Sequence, residues 1–410
     1  MTSIFTQILV ALSALLLLYK LWSKKHRQNS NSLKSAPEPA GAWPLIGHFH
    51  LLVGQVPVYR ILGGLADENG LVFGLRLGLN KTLVVSSWEA VKDCFTTNDK
   101  ILAKRPTSVA GIYLGYDYAS FGFADGPYWR EVRKLALQEL LSPRRLETLK
   151  HVRESEIHSG IKELYKTLNK LHISHVSIPS CNFPNRSIQE RCGYRRVVRS
   201  DNFEHDYNDD CWKRYTNGTQ GVESTVEVRS VREHIKEFMY VLGQFIVADA
   251  FPFPPFSWID YQGHIKSMKR ITKGLSTIFE RFTRFGHTRE TIIKATVSNL
   301  IIAGNDTTSL HMTWLLCLLL NNKRVLQRAQ EELDTNVGRE RWVQESDIKN
   351  LVYLQAIIKE ALRLYPPGPL AVPHEAMEDC CVGGYHVPKG TRVMFNLWKL
   401  HRDPKNVGGT

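Results

Sequence analysis

Apolar residues fall along the chain in distinct rhythms, and each rhythm predicts a different element. An almost unbroken apolar run over residues 4–22 comes close to the roughly 20 residues that span a bilayer. Residues 71–77 and 82–86 are short and rich in Val and Leu, which predicts two strands around a Gly78-Leu79-Asn80 turn. Helical periodicity dominates elsewhere, over residues 128–140, 142–168, 231–247, 289–320, 325–333 and 347–364. Local signals fix two of the starts. Ser86 and Glu89 have the spacing of a capping box for a helix through Cys94. Ser142-Pro143 places proline at a first helical position, where its missing N–H is harmless. Strand-like pieces at 385–387 and 392–396 follow. The body is predicted to be mainly α with a small β part, and no internal repeat interrupts it.

Two stretches escape both periods. Residues 36–44 read Ala-Pro-Glu-Pro-Ala-Gly-Ala-Trp-Pro, and prolines that fix φ make this a stiff tether. Residues 169–210 show neither helical nor strand spacing, and Cys181, Cys192 and Cys211 lie in or beside them. A disordered or functional insertion fits that stretch. Asn185-Arg186-Ser187 and Asn217-Gly218-Thr219 match the glycosylation pattern, which a cytosolic body leaves unused. The predicted organisation is an anchor over 1–22, a basic and Pro-rich linker over 23–50, and a body over 51–410.

Composition sharpens this only in part. With 410 residues, 43% of them hydrophobic, the chain can bury a sizeable core. A charged fraction of 23% is that of a globular protein and not of a disordered polyelectrolyte. Seven cysteines lack paired spacing apart from adjacent Cys380 and Cys381, which argues for a reducing compartment. The net charge of +13 admits nucleic acid, an anionic membrane or an acidic protein as partner. Position decides among them. Lys20, Lys24, Lys25, Arg27 and Lys34 stand at the end of the apolar run or after it, with no acid among them. That is the flank of an uncleaved anchor with a cytosolic body, whereas a cleaved signal peptide carries its charge before the run. No nucleic-acid docking motif accompanies the basic residues, so no nucleic-acid partner is expected.

Three motifs carry candidate chemistry. Ala303-Gly304-Asn305-Asp306-Thr307-Thr308 interrupts an apolar helix with poor helix formers, at a cost of roughly 2–3 kcal/mol relative to alanines. An acid beside an alcohol at such a point suits proton delivery to a ligand, and a kink filled by hydroxyl back-bonding is the structural alternative. Glu360 and Arg363 are three apart on one helix face ended by Pro366-Pro367, the spacing of an ion pair. Trp129 and Arg133 are four apart and offer an indole N–H and a guanidinium that suit a carboxylate.

Together and in this order, these features resemble the cytochrome P450 family of haem-thiolate monooxygenases. The resemblance runs through Ile46-Gly47-His48, the three motif helices and the wording from Pro369 to Pro404, where Gly384-Tyr385-His386-Val387-Pro388-Lys389-Gly390 is included. The stretch from Trp342 is particularly similar to plant enzymes that oxidise flavonoids, terpenoids, furanocoumarins or alkaloids. The resemblance implies the cytochrome P450 fold behind a transmembrane helix, in the endoplasmic reticulum membrane. It implies haem b as cofactor, a small lipophilic substrate, and electrons from NADPH through NADPH-cytochrome P450 reductase. Asp306 and Thr307 would then deliver protons during dioxygen cleavage. Ala303 and Gly304 would line the haem, Trp129, Arg133 and His374 would hold a propionate, and Glu360 and Arg363 would brace the core.

The sequence also departs from the family. The haem iron needs a cysteine sulfur, which the family carries in a downstream Phe-x-x-Gly-x-Arg-x-Cys-x-Gly loop. The sequence runs out at Asn406-Val407-Gly408-Gly409-Thr410, so the expectation is a chain lacking that loop and the arginine that joins Glu360 and Arg363. Cys380 and Cys381 lack its Phe, Gly and Arg frame, and no metal ligand is assigned. Residues 169–210 and 279–286 also differ from family wording, and an altered reading frame or retained intron, an internal deletion and a lost 3′ end would account for the departures. Two readings therefore stay open, a monooxygenase and a non-catalytic truncated paralogue. His401-Arg402-Asp403 is similar to a kinase catalytic loop but has no Gly-rich loop or Asp-Phe-Gly to accompany it, so that reading is rejected.

Overall fold

A computed structural model describes residues 34–173, 234–244, 246–251, 260, 262–280 and 288–405. They fall into two compact units. One draws on residues 1–107, 247–259 and 304–410, the other on 108–246 and 260–303.

The first unit is organised by its strands: β1 (Val72–Leu77), β2 (Asn80–Val85), β3 (His374–Glu375), β4 (Cys380–Val382), β5 (Tyr385–Val387) and β6 (Arg392–Phe395). Four form a sheet in the order β1-β2-β6-β3, and β4 pairs with β5. β1 and β2 are antiparallel from Val72↔Val85 to Leu77↔Asn80, and β2 runs parallel to β6 with Val85 opposite Phe395. Joining two strands far apart in sequence needs such a long crossover. Val84, Val85, Val393 and Phe395 are at most 1% exposed, and burying each side chain of this kind is worth roughly 1.5–3 kcal/mol. The helix Trp88–Phe95 lays Ala90, Val91 and Cys94 on this core. Its cap is Ser87, whose hydroxyl accepts from the Ala90 N–H at 3.2 Å. The predicted cap, Ser86, is instead buried in the ladder, donating its N–H to the Leu71 carbonyl.

The Pro-rich stretch is stitched into this unit and is no free tether. The Pro37 carbonyl accepts from the Gly74 N–H at 2.8 Å, and the Lys34 carbonyl from the His386 N–H at 2.8 Å. His48 is fully buried, accepts the Arg76 N–H at Nδ1 and faces the Pro39 carbonyl with Nε2, both at 3.0 Å. Because Nδ1 accepts, Nε2 carries the proton and donates. Prolines cannot donate to a ladder, but their carbonyls accept from it, which is why this segment docks through accepting groups. The predicted linker over 23–50 therefore ends, among the described residues, where the fold already begins at Lys34.

Helices complete the unit. Glu332, on the helix Lys323–Asn336, accepts from the Tyr353 and Leu354 N–H groups at 2.7 and 2.9 Å. It thereby caps the helix Val352–Leu364, whose N-cap residue Leu351 has no side chain for the task. The helix predicted from Asp347 begins only at Val352. Residues Glu345–Asn350 form a tighter 3-10 turn, in which Asp347 and Gln344 make a reciprocal capping box.

The second unit is helical: Val109–Tyr113, Gly126–Leu135, Pro143–Thr148, Lys150–Ile173 and His264–Glu280, with residues 234–242 also helical. The run predicted over 128–140 widens into a π turn at Ala136–Leu140. The run predicted from Ser142 breaks at Leu149 and resumes to Ile173, past the predicted end and into the first residues of the aperiodic stretch. Ser142 does cap its start, accepting from the Arg145 N–H at 3.3 Å. Helix His264–Glu280 was not predicted. Tyr116, Asp117 and Tyr118 are all left-handed, with φ of 52°, 53° and 63°. The Tyr118 hydroxyl holds that turn, accepting from the Ser108 N–H and donating to the Ser108 carbonyl, both at 3.0 Å.

The anchor over 4–22, the basic cluster before Lys34, the glycosylation patterns, and most of 169–210 and 279–286 lie outside the described residues. Among the described residues, no helix is long and apolar enough to cross a membrane.

Candidate functional site

The long helix Thr288–Asn321 runs without a break through the Ala303 to Thr308 motif. Tertiary context outweighs the poor propensities there, and further along the helix the Thr313 hydroxyl back-bonds to the Ser309 carbonyl at 2.8 Å. Ala303 and Gly304 are exposed, while Asp306 and Thr307 are half-buried. A Cβ added to Gly304 would meet nothing within 4 Å. This part of the helix thus presents a small-residue surface with free space above it, as a flat apolar ligand requires.

In the second unit, the helix Gly126–Leu135 carries Trp129 and Arg133. The Arg133 guanidinium sits over the Trp129 indole, 5.0 Å from the ring centroid. The exposed guanidinium is available to a carboxylate, and the indole fixes its approach.

His374 lies on β3, in the first unit, and its circumstances differ from expectation. Its ring packs edge-on against Phe95 and Phe395, and Nδ1 is 2.5 Å from the Leu102 carbonyl. A carbonyl only accepts, so Nδ1 holds the proton and Nε2 of the neutral ring can only accept. To hold a carboxylate the ring must become cationic. Burial, and secondly the nearby Arg105 charge, push its pKa below the ordinary histidine value. His374 is therefore poorly suited to a propionate near neutral pH. Arg105 is the permanent cation beside it, donating to the Pro373 carbonyl at 3.0 Å. Sequence reading passed over Arg105 because Lys104-Arg105-Pro106 reads as an ordinary basic loop.

Glu360 and Arg363 do pair on the helix Val352–Leu364. Two parallel bonds join them, Nε to Oε2 at 2.7 Å and Nη2 to Oε1 at 2.6 Å. The bond from Arg363 holds the Glu360 carboxyl below its usual range. Arg363 also reaches the His401 carbonyl with Nη1 at 2.6 Å, across 38 residues of sequence. That bond changes the pair from surface decoration into a brace. Arg402 adds to it by donating to the Trp398 carbonyl at 3.1 Å and to the Leu364 carbonyl at the helix end. Sequence gave no signal for these partners, since both are backbone carbonyls.

The cysteines give no thiolate where the structure resolves their chemistry. Burial pushes the Cys94 thiol up to about 12 and raises Cys380 as well. Among the described residues no cluster of three or more His, Cys, Asp or Glu can hold a metal ion.

Comparison with known proteins bears on the family. The sequence profile described as Cytochrome P450 matches residues 37–185 and 280–406. A nicotine N-demethylase of Nicotiana tomentosiformis is 44% identical, over 95% of this chain and 78% of its own length. A vinorine hydroxylase of Rauvolfia serpentina is 45% identical over 97% of this chain and 78% of its own. A xanthotoxin 5-hydroxylase of Arabidopsis thaliana is 45% identical over 90% and 75%. Among solved structures, a zebrafish cytochrome P450 with progesterone has a TM-score of 0.62 at 22% identity, covering 86% of this chain and 82% of that one.

Proposed function

The chain belongs to the cytochrome P450 family, and from that membership we infer that it inserts one oxygen atom from O2 into a small, lipophilic plant secondary metabolite. The relatives named for nicotine, vinorine and xanthotoxin point to a heterocyclic substrate of the alkaloid or furanocoumarin kind. The single observation that carries the reading is the long helix, where Ala303, Gly304, Asp306 and Thr307 combine open space with an acid and an alcohol.

By their chemistry, the residues within each unit suit parts of a haem. Ala303 and Gly304 would lie against its face, and Arg133, steadied by Trp129, would bind a propionate. Arg105 takes the role first assigned to His374, because it is charged at every pH of interest. Cys94 is buried in the sheet core and Cys380 packs against it, so neither fits as the sulfur ligand. When bound, the haem supplies dioxygen activation and transfer of the oxygen atom. Asp306 and Thr307 move protons toward the reacting group, the hydroxyl presenting the proton and the carboxylate renewing it. Glu360 and Arg363 keep the helix beneath in register with residue 401. Electrons come from NADPH through a membrane-bound reductase. The apolar run at 4–22 and the basic residues around and after its end support a single-pass anchor in the endoplasmic reticulum membrane with a cytosolic body.

The test is a carbon monoxide difference spectrum of the reduced protein expressed with haem, followed by turnover of nicotine, vinorine and xanthotoxin with reductase and NADPH. A strongly red-shifted Soret band, which requires a cysteine other than Cys94 or Cys380 to serve the iron, and an oxidised product are expected. Absence of the band, with haem present, would overturn the reading and leave a non-catalytic relative.

A further inference from the structure

One stretch of the first unit holds apolar side chains in water with no charge among them. No Asp, Glu, Lys or Arg occurs from Pro39 to Tyr59, yet Trp43, Leu45, Val53 and Val56 are each more than half exposed. Exposed leucines elsewhere, such as Leu135 and Leu141, lie among Arg133, Lys134, Arg144 and Arg145, the ordinary mixture of a solvated surface.

Backbone bonds gather these residues into one patch. Trp43 and Gly47 exchange both of theirs, at 2.9 and 3.0 Å, and close a tight turn with Leu45 at its tip. The Gly78 N–H donates to the Ile46 carbonyl at 3.2 Å, which brings Leu79, also more than half exposed, beside the turn. The Trp43 ring stacks on His50 with centroids 5.1 Å apart, and His50 belongs to the 3-10 turn Phe49–Leu52 that leads into Val53. Leu45 has a φ of 66°, a left-handed backbone that a leucine adopts only under strain. The core gains little in exchange, because Leu45 is 62% exposed. Strain with no return inside the fold points to a use outside it, and a contiguous apolar patch points to an apolar partner.

The neighbouring sequence supplies that partner. Eleven residues, 23–33, separate the apolar run at 4–22 from Lys34, and even fully extended they reach no further than about 40 Å. Lys34 opens the segment stitched to the sheet, which leads directly to Trp43. An anchor at 4–22 therefore keeps this part of the unit close to the bilayer, where Trp settles at headgroup level and Leu and Val go deeper.

We propose that the Trp43–Gly47 turn, with Val53, Val56 and Leu79, is a second membrane contact that enters the lipid surface beside the anchor. The inference rests on the reading of residues 4–22 as an anchor and is independent of the oxygen chemistry.

The test uses the full chain reconstituted into vesicles of phosphatidylcholine or of its acyl-brominated form, whose bromines quench tryptophan on contact. Fluorescence of the wild type minus that of Trp43→Phe isolates Trp43 from the other tryptophans. That difference is expected to fall about twofold or more in the brominated lipid. The double substitution Leu45→Asn with Val53→Asn is expected to remove most of the quenching without lowering the melting temperature, since Asn tolerates the left-handed backbone at 45. Equal Trp43 fluorescence in the two lipids overturns the proposal, as does quenching that the double substitution leaves unchanged. Trp43 shielded from aqueous iodide yet unquenched by bromine means that a second copy of the chain covers the patch, which also overturns it. Failure of the anchor reading is distinguishable, because the wild type then does not float with the vesicles at all, and this inference falls with it.

Discussion

The sheet region of the first unit and the long helix Thr288–Asn321 treat like residues in opposite ways. In the sheet, His48 is wholly buried and both ring nitrogens are engaged, one by the Arg76 N–H and one by the Pro39 carbonyl. On the helix, His311 is buried at both nitrogens and engaged at neither. One pair of glycines differs likewise. Gly47, at φ +62°, has the Arg76 carbonyl 2.2 Å from where a Cβ would stand, whereas Gly304 has nothing within 4 Å. In the sheet region these two residues are explained by their neighbours, although the Thr82, Ser86 and Thr391 hydroxyls are buried there without partners. The long helix carries polar atoms and open space that its own neighbours do not explain, and this is how a surface built for a ligand differs from one built for stability.

The largest break in that comparison would come from His48. Leu at this position leaves a buried N–H and a buried carbonyl without partners, an expected loss of about 3 kcal/mol, measured by chemical denaturation. A loss under about 1 kcal/mol would mean the sheet tolerates orphaned groups as the helix does.

Glu332 offers a smaller effect. Its carboxylate caps the helix bearing Glu360 and Arg363, so Glu332→Ala should cost about 1–2 kcal/mol, again by denaturation. Gln, which keeps one acceptor oxygen, should recover part of that.

Gly304→Ala should act with the opposite sign. Alanine in a helix interior gains up to about 1 kcal/mol over glycine where space allows. The melting temperature is therefore expected to rise slightly while haem uptake, titrated by its Soret absorbance, weakens.

The mildest test concerns Asp347, whose carboxyl is held down to about 2, first by the bond from Arg341 and then by the Gln344 N–H. Its folded-state value lies below the unfolded one, so its contribution is present above the ordinary carboxylate range and is lost as pH falls toward about 2. Melting curves of wild type and Asp347→Asn should differ at neutral pH and converge over that acid window.

Much of this was legible in the sequence because it depends on near neighbours. The strands over 71–77 and 82–86, the cap at Ser142 and the long helix follow from spacing alone, and so do the residues that place the chain in its family. What misled was also local in form. Ser86 and Ser87 are both competent caps, and only the ladder bond from the Ser86 N–H to Leu71 decides between them. The Glu360–Arg363 pair looks like a surface contact until the His401 carbonyl arrives from far along the chain.

The sequence by itself therefore determined the mainly helical class and the family, since periodicity and motif spacing are properties of consecutive residues. Tertiary structure alone decided which histidine is satisfied, that His374 must yield its charge to burial and Arg105, and that the proline stretch belongs to the fold. Each of those turns on a carbonyl, an N–H or a void supplied by residues distant in sequence. Backbone groups are the same at every position, so no residue pattern announces where they will be needed.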